Sequence, residues 1–504
     1  MSEQASAVRK TSRTSVLGLV TALVAILLIG IGVWQLESQR SGLTVERVSV
    51  GTTPVTYYAP AGREPAPLVV MAHGFAGSRA LMETYSLALA RAGYVVASFD
   101  FEGHGRNPVP MSGDVDAIEG TTELLVAETL RVLEAGLARG QTDGQVAIMG
   151  HSMASDIIVR AAERDARIGP VIAVSPFSQA ISAAGPDRLL MITGAWEPGL
   201  REFAVTALQM VDETAREGET ARSQDGRIVR RAVVAPGVEH VGVLFSQTAV
   251  NEAVAWLNDA FGLAEPAPVQ QRAGWIYLVL TGTIVLVWPL CLLLPARAPP
   301  HLSLSNQGFA AALLLPMIAT PLIAIFAPRG FLPVLVADYL AIHMFIYGAI
   351  QLVLLRFLGL RITAYAVVVG LLLAAYGIAV FGLALDRYVA NFIPNTGRLP
   401  IIGALALGCV PYMLADSAMA HAHPQLWRRA LIRLAFLVSL AIAVALDFER
   451  LFFLILIIPI IALFFLVFGL MGRWVEARAG PLASGLGLGL LLAWSLGVTF
   501  PMFV

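Results

Sequence analysis

Apolar positions along this chain fall into two periodic regimes. Runs of about twenty consecutive apolar residues, the length that spans a bilayer, occupy roughly 15–34, 274–294, 308–328, 331–355, 362–385, 399–418, 430–447, 451–471 and 483–503. Between the first and second of these the pattern changes: short β-rich apolar runs alternate with amphipathic segments of helical length, as in parallel α/β domains. "APLVVMAHG", "GYVVASFDF", "QVAIMG", "PVIAVSP", "RLLMITG" and "VRRAVVAP" predict buried strands, and "ERVSV" with "PVTYYAP" predicts an antiparallel hairpin ahead of them. Helices are expected near 79–92, 118–139, 153–164, 200–221 and 247–261. The pattern predicts a three-layer α/β/α sandwich with a mostly parallel sheet over 45–262, a linker at 263–273, and an all-α bundle of about eight spans over 274–504.

Composition agrees: 57% of the 504 residues are hydrophobic and only 14% charged, far outside the soluble average. The first apolar run follows a 1–14 segment carrying Arg9, Lys10 and Arg13, is longer than the core of a cleaved signal and lacks a small-x-small site at its end, so 15–34 is expected to be an uncleaved anchor. Arginines then alternate in abundance from one inter-span loop to the next: Arg297, Arg356, Arg361, Arg428, Arg429, Arg433, Arg473 and Arg478 on one side, and Arg329, Arg387, Arg398 and Arg450 on the other. By the positive-inside rule this predicts a multi-pass protein of nine spans with a cytoplasmic N-terminus, as in a bacterial inner membrane. Residues 35 to about 270 then face the periplasm or exterior. The net charge of −1 and the lack of a basic patch with interleaved aromatics exclude a nucleic-acid partner; the bilayer is the expected one. Both cysteines, Cys291 and Cys409, fall in spans, so no disulfide staples the α/β segment.

The stretch "QVAIMGHSMAS" places Ser152 directly after a strand and before a helical segment. Ser152 alone reads equally well as a helix cap or as a nucleophile on a sharp strand-to-helix turn. That turn demands small flanking residues, which Gly150 and Ala154 supply. A serine nucleophile also needs a base, an orienting acid and donors for the oxyanion. His240 follows the last predicted strand in "VVAPGVEHVGVLFS", and Glu197 follows the preceding strand in "LLMITGAWEPG", which yields the chain order Ser, acid, His. In "AHGFAGS" the His73-Gly74-Phe75 turn follows a strand and can present the Phe75 amide, with the Met153 amide as the second donor. Glu239, adjacent to His240, is expected to point elsewhere, Asp187 to lie at the wrong end of the sheet, Asp100 to anchor its own loop, and His73, His104 and His151 to shape loops.

Taken together, the HG-x turn, the "FDFEGHG" loop at 99–105, the elbow and the positions of acid and histidine make 45–262 resemble the α/β-hydrolase fold. The resemblance implies a serine hydrolase in which Ser152 attacks, His240 moves the proton, Glu197 orients it, and Phe75 and Met153 hold the oxyanion, with no metal and no cofactor. Two departures stand: Ala154 replaces the usual second elbow glycine, and the acid is glutamate rather than aspartate. Only "FSQAISAAGPD" separates two strands between which many such enzymes insert a cap, so the site has no lid of its own. The expected activity is cleavage of an ester, thioester or acyl-lipid. Acyl transfer to an acceptor in the bundle, and a transporter or structural protein with a non-catalytic hydrolase-like domain, are the alternatives. Within the spans, Asp338 and His343 mark a possible intramembrane polar site, set against local satisfaction of each by bundle neighbours. Five residues apart, they do not share a helix face.

Overall fold

In a computed structural model, residues 2–504 are described except 63–64, 115–117, 265–270, 300–302, 360 and 424. The linker expected at 263–273 thus lies largely outside the described residues. Contacts divide the chain into two compact units: residues 1–31, 278–385 and 392–500, and residues 32–277, 386–391 and 501–504.

The second unit is built on a nine-stranded sheet ordered β1-β2-β4-β3-β5-β6-β7-β9-β8. Its strands are β1 (Leu43–Val50), β2 (Thr53–Pro60), β3 (Ala66–Ala72), β4 (Val95–Phe99), β5 (Thr142–His151), β6 (Ile168–Val174), β7 (Arg188–Gly194), β8 (Thr220–Arg222) and β9 (Val229–Ala235). From β4 through β9 neighbouring strands pair in parallel; β2 pairs antiparallel with both β1 and β4, and β8 antiparallel with β9. The unbroken apolar run in β3 reflects burial on both faces. Val69 and Met71 join the core formed with α2 (Glu83–Ala92) and α6 (Gln247–Phe261), while Leu68 on the opposite face packs under Gly136 of α3 (Glu123–Leu137). A side-chain period of two directs alternate residues of one strand into two separate helical layers. This is the expected mostly parallel α/β-hydrolase-type sheet.

Local boundaries differ where polar side chains intervene. The helix expected at 200–221 is α5 (Pro198–Gln209), because Asp212 captures the amide and hydroxyl of Thr214 in a tight turn that ends helical pairing. The chain then adds β8, which hydropathy did not predict. Helix α2 starts at Glu83 rather than 79, since the Arg79 amide is held by Asp100 at 2.8 Å. Helix α3 is preceded by a wider turn at Ile118–Thr122. Arg272, at the end of the expected polar linker, is instead buried, pairing with Glu83 at 2.7 Å and Gln39 at 3.0 Å.

Among the described residues nine helices are long and apolar enough to cross a membrane. The first lies within α1 (Ser2–Ser38), and the rest begin at Ala273. Pro316, Pro321, Pro411 and Pro459 sit inside such helices without ending them. The run expected at 331–355 is helical only from Ala337, and that expected at 483–503 is the helix Pro481–Thr499, which stops ahead of Pro501. Residues after that proline leave the bundle and belong to the sheet-containing unit, where the Met502 carbonyl accepts from the Met111 amide at 2.8 Å. Within the bundle, Gly485 and Gly489 bring Pro481–Thr499 against the backbone of Met413, Leu414 and Val410 on Leu399–Ala422. Small residues four apart permit this approach in spanning helices.

Candidate active site

Strand β5 ends at His151, and the next residue, Ser152, has φ +55°, a backbone region that non-glycine residues seldom enter. Helix α4 (Ala154–Arg164) begins two residues later. Several bonds hold the strain: the Ser152 amide donates to the Val174 carbonyl at 2.8 Å, and the Ser155 hydroxyl, 2.6 Å from the Ser152 carbonyl, accepts from the Phe177 amide at 3.0 Å. A side chain at Gly150 would begin 2.8 Å from the Ala154 carbonyl oxygen, so glycine is required there, and Ala154 is wholly buried.

The structure brings the three sequence-predicted residues into one hydrogen-bonded row. Ser152 Oγ lies 2.8 Å from His240 Nε2, and His240 Nδ1 lies 2.5 Å from Glu197 Oε1. Glu197 Oε2 accepts from the Gly194 amide at 2.6 Å and the Ser175 hydroxyl at 2.8 Å. Since Glu197 is acceptor-only when ionised, His240 carries its proton on Nδ1 and offers a bare Nε2 to the serine. Burial of Glu197 opposes its charge, but the bonds from His240, Gly194 and Ser175 outweigh burial and hold the carboxyl below its usual range. The His240 side chain is 42% exposed, so the nucleophile side of the row is open to solvent.

Burial pushes two supporting histidines toward the neutral form. His151 donates from Nε2 to the His240 carbonyl at 2.8 Å, tying the elbow to the histidine loop; burial first, then the neighbouring His240, pushes its pKa down to about 3. Buried His73 accepts the Phe101 amide on Nε2 at 3.1 Å and faces the Gly74 carbonyl with Nδ1 at 2.8 Å; burial lowers its pKa too. Gly74 lies against the elbow so closely that a Cβ would sit 2.8 Å from His151 Nδ1 and 2.9 Å from Ser152 Cβ. The HG-F turn and the elbow are therefore in direct contact, with Phe75 and Met153 each one residue beyond it. Gly74→Ala is expected to fold but to displace the serine, lowering fluorophosphonate labelling of Ser152 by about 10²-fold, the typical effect of a misplacement near 1 Å; an unchanged labelling rate with unchanged circular dichroism would remove this role.

Ser175 was not among the sequence candidates. It follows β6 with φ +48°, directing its hydroxyl to Glu197, and a strand's carboxyl end was the one signal pointing to it. The other weighed residues are engaged elsewhere: Glu239 caps the Val241 and Gly242 amides at 2.8 Å, and Asp100 accepts the amides of Arg79 and Arg106. Asp338 and His343 are not brought together. Asp338 accepts the amides of Gly330 and Tyr339, while His343 lies between the Tyr339 hydroxyl at 3.2 Å and Ser439 at 3.1 Å. Among the described residues no cluster of three or more His, Cys, Asp or Glu has the makings of a metal site.

Residues 63–230 match the family model described as serine aminopeptidase, S33, a stretch that holds Ser152, Ser175 and Glu197. An uncharacterized 31.7 kDa Escherichia coli protein from the traX-finO intergenic region is 24% identical over 180 residues, 35% of this chain and 58% of its own length. The chain thus spans little more than half of that relative. Similar solved structures include a predicted CIB-like hydrolase from Thermoplasma acidophilum (17% identity, 43% of this chain, 98% of that one, TM-score 0.34). Another is the dienelactone hydrolase of Anabaena variabilis (16% identity, 44% and 96%, TM-score 0.31). With its mostly parallel sheet and its match to the S33 model over 63–230, the sheet-containing part of this chain has an α/β-hydrolase-type fold, and the chain also carries a set of long apolar helices.

Proposed function

We propose that this protein is a membrane-embedded serine hydrolase that cleaves an ester, thioester or acyl-lipid outside the cytoplasm through an acyl-enzyme. The observation that carries this reading is the unbroken row Ser152–His240–Glu197 at 2.8 and 2.5 Å on a positive-φ elbow. As Ser152 Oγ attacks the carbonyl carbon, its proton passes to His240 Nε2, and the imidazolium is stabilised by Glu197. The oxyanion is taken by the Phe75 and Met153 amides. His240 then returns the proton to the leaving alcohol or thiol, and water repeats the sequence in reverse to release the acid.

An apolar acyl group suits the surroundings. Phe177, whose amide meets Ser155, and Trp196 and Val241, next in sequence to Glu197 and His240, are large apolar side chains exposed by 59%, 67% and 46%. The connection from β6 to β7 carries no helix to cover them. Membrane embedding is supported by the nine long apolar helices, and the outward placement by the distribution of arginines between loops.

The test is fluorophosphonate labelling of native membranes, followed by turnover of ester panels that vary in acyl length. Wild type is expected to label and to prefer longer acyl chains, and the product to be the free acid. Failure of wild type to label beside a control hydrolase would sink the hydrolase assignment, and labelling with acyl transfer to an added acceptor in place of acid release would convert it to an acyltransferase.

A further inference from the structure

The helical unit holds a groove of about 420 Å³ between the helices Leu426–Leu446 and Leu454–Ala479. Its long walls are apolar, with Leu434, Phe465 and Leu466 among them, and Leu466 is 76% exposed. Its other lining groups include Arg429, Arg433 and Arg473, and among the described residues no carboxylate lines it. The arginines share one end. Arg429 and Arg433, four apart, lie on one face of the first two turns of their helix, and Arg473 lies six residues before the end of the helix that returns, about 9 Å at 1.5 Å per residue.

Arginines outnumber carboxylates at that end. Asp416 pairs with Arg433 at 3.7 Å and Glu476 with Arg429 at 3.8 Å, and Glu476 is shared with His421 at 3.0 Å. No carboxylate among the described residues lies within ion-pair distance of Arg473. Arg433 is held in place by its guanidinium stacking 4.4 Å from the centre of the Phe465 ring, and Gly469 leaves room beside it, since a Cβ there would fall 3.2 Å from Nη1. An excess of guanidinium groups next to hydrocarbon is costly, and their planar donor forks match phosphate oxygens.

We infer that this groove binds a phospholipid with an anionic phosphate headgroup, the phosphate held by Arg429, Arg433 and Arg473 and an acyl chain laid along Leu434, Phe465 and Leu466. Basic pockets between spanning helices bind anionic headgroups in this way. The predominance of apolar lining selects a lipid over free phosphate. The inference rests on the membrane reading but not on the hydrolase chemistry.

The experiment uses the full chain purified from membranes in detergent, titrated with phosphatidylglycerol or phosphatidylcholine in mixed micelles and read by native mass spectrometry. Recovery from the membrane fraction is scored first, and a chain found in the soluble fraction would refute the span reading itself. For the membrane-bound chain, phosphatidylglycerol is expected to bind about tenfold more tightly than phosphatidylcholine, and Arg473→Gln to weaken it about tenfold, as for loss of one charged hydrogen-bonding group. Ala462→Phe, which fills the groove without altering charge, is expected to weaken it as well. Both variants should elute as wild type on size exclusion, and if one does not, the other decides. Equal binding of the two lipids, no effect of the folded variants, or full displacement by millimolar inorganic phosphate with Ala462→Phe silent would overturn the lipid site.

Discussion

Ser152→Ala is expected to lower kcat on any ester the protein turns over by about 10⁴- to 10⁶-fold, and His240→Ala by a similar factor. The size follows from the shared proton: a serine hydroxyl 2.8 Å from Nε2 is a competent nucleophile only while that nitrogen accepts, and each residue is inert without the other. The double variant is therefore expected to be no slower than either single one. Rates measured against enzyme-free buffer should retain a residual acceleration of about 10³-fold from the oxyanion donors and binding alone. Independent, multiplicative losses in the double variant would mean that the two side chains do not act as a unit, and the hydrolytic assignment of this row would fail.

Glu197→Gln carries the second large effect, about 10³- to 10⁴-fold in kcat, for a reason specific to this site. The Gly194 amide donates to Oε2 at 2.6 Å, so a glutamine must turn its own oxygen toward Gly194 and its NH₂ toward His240. That forces Nδ1 to accept, moves the imidazole proton to Nε2 and leaves no lone pair for the serine. Ser175→Ala removes one donor only and is expected to cost about five- to tenfold. If Glu197→Gln kept wild-type kcat, the acid would have to be sought elsewhere. The same carboxylate links stability to pH. Its folded pKa lies below its ordinary 4.5, so the folded state is favoured by the ionised form above that value, and this contribution is lost as pH falls through the depressed value. Thermal midpoints of wild type and Glu197→Gln should therefore converge as pH drops below about 4.5.

Much of the domain is legible in the sequence. Unbroken apolar runs such as "APLVVMA" announce strands buried on both faces, and six of them alternating with helical segments imply a doubly covered parallel sheet. The nucleophile elbow is legible because its constraints are local: Gly150, Ser152 and Ala154 must be small or hydroxylated within five residues of one another. Glu197 and His240 are legible at one remove, since parallel topology carries successive strand ends to one edge. Less was legible where a polar side chain competes with the backbone, as Asp212 does in ending α5 early, or where a three-residue strand such as β8 is too short to show a period.

By itself the sequence determined the class of the long elements, the buried strands and the apolar helices, and pointed to Ser152, Glu197 and His240, because periodicity and steric need at a turn act over a few neighbouring residues. Tertiary structure alone decided the rest. It set the Ser175 hydroxyl on Glu197, 22 residues away, the Gly74 backbone against Ser152, and the buried pairing of Arg272 with Glu83, 189 residues apart. It likewise gathered Arg429, Arg433 and Arg473 at one end of a groove. Each of these depends on which strands or helices become neighbours and at what depth, quantities set by packing across the whole chain and carried by no local pattern.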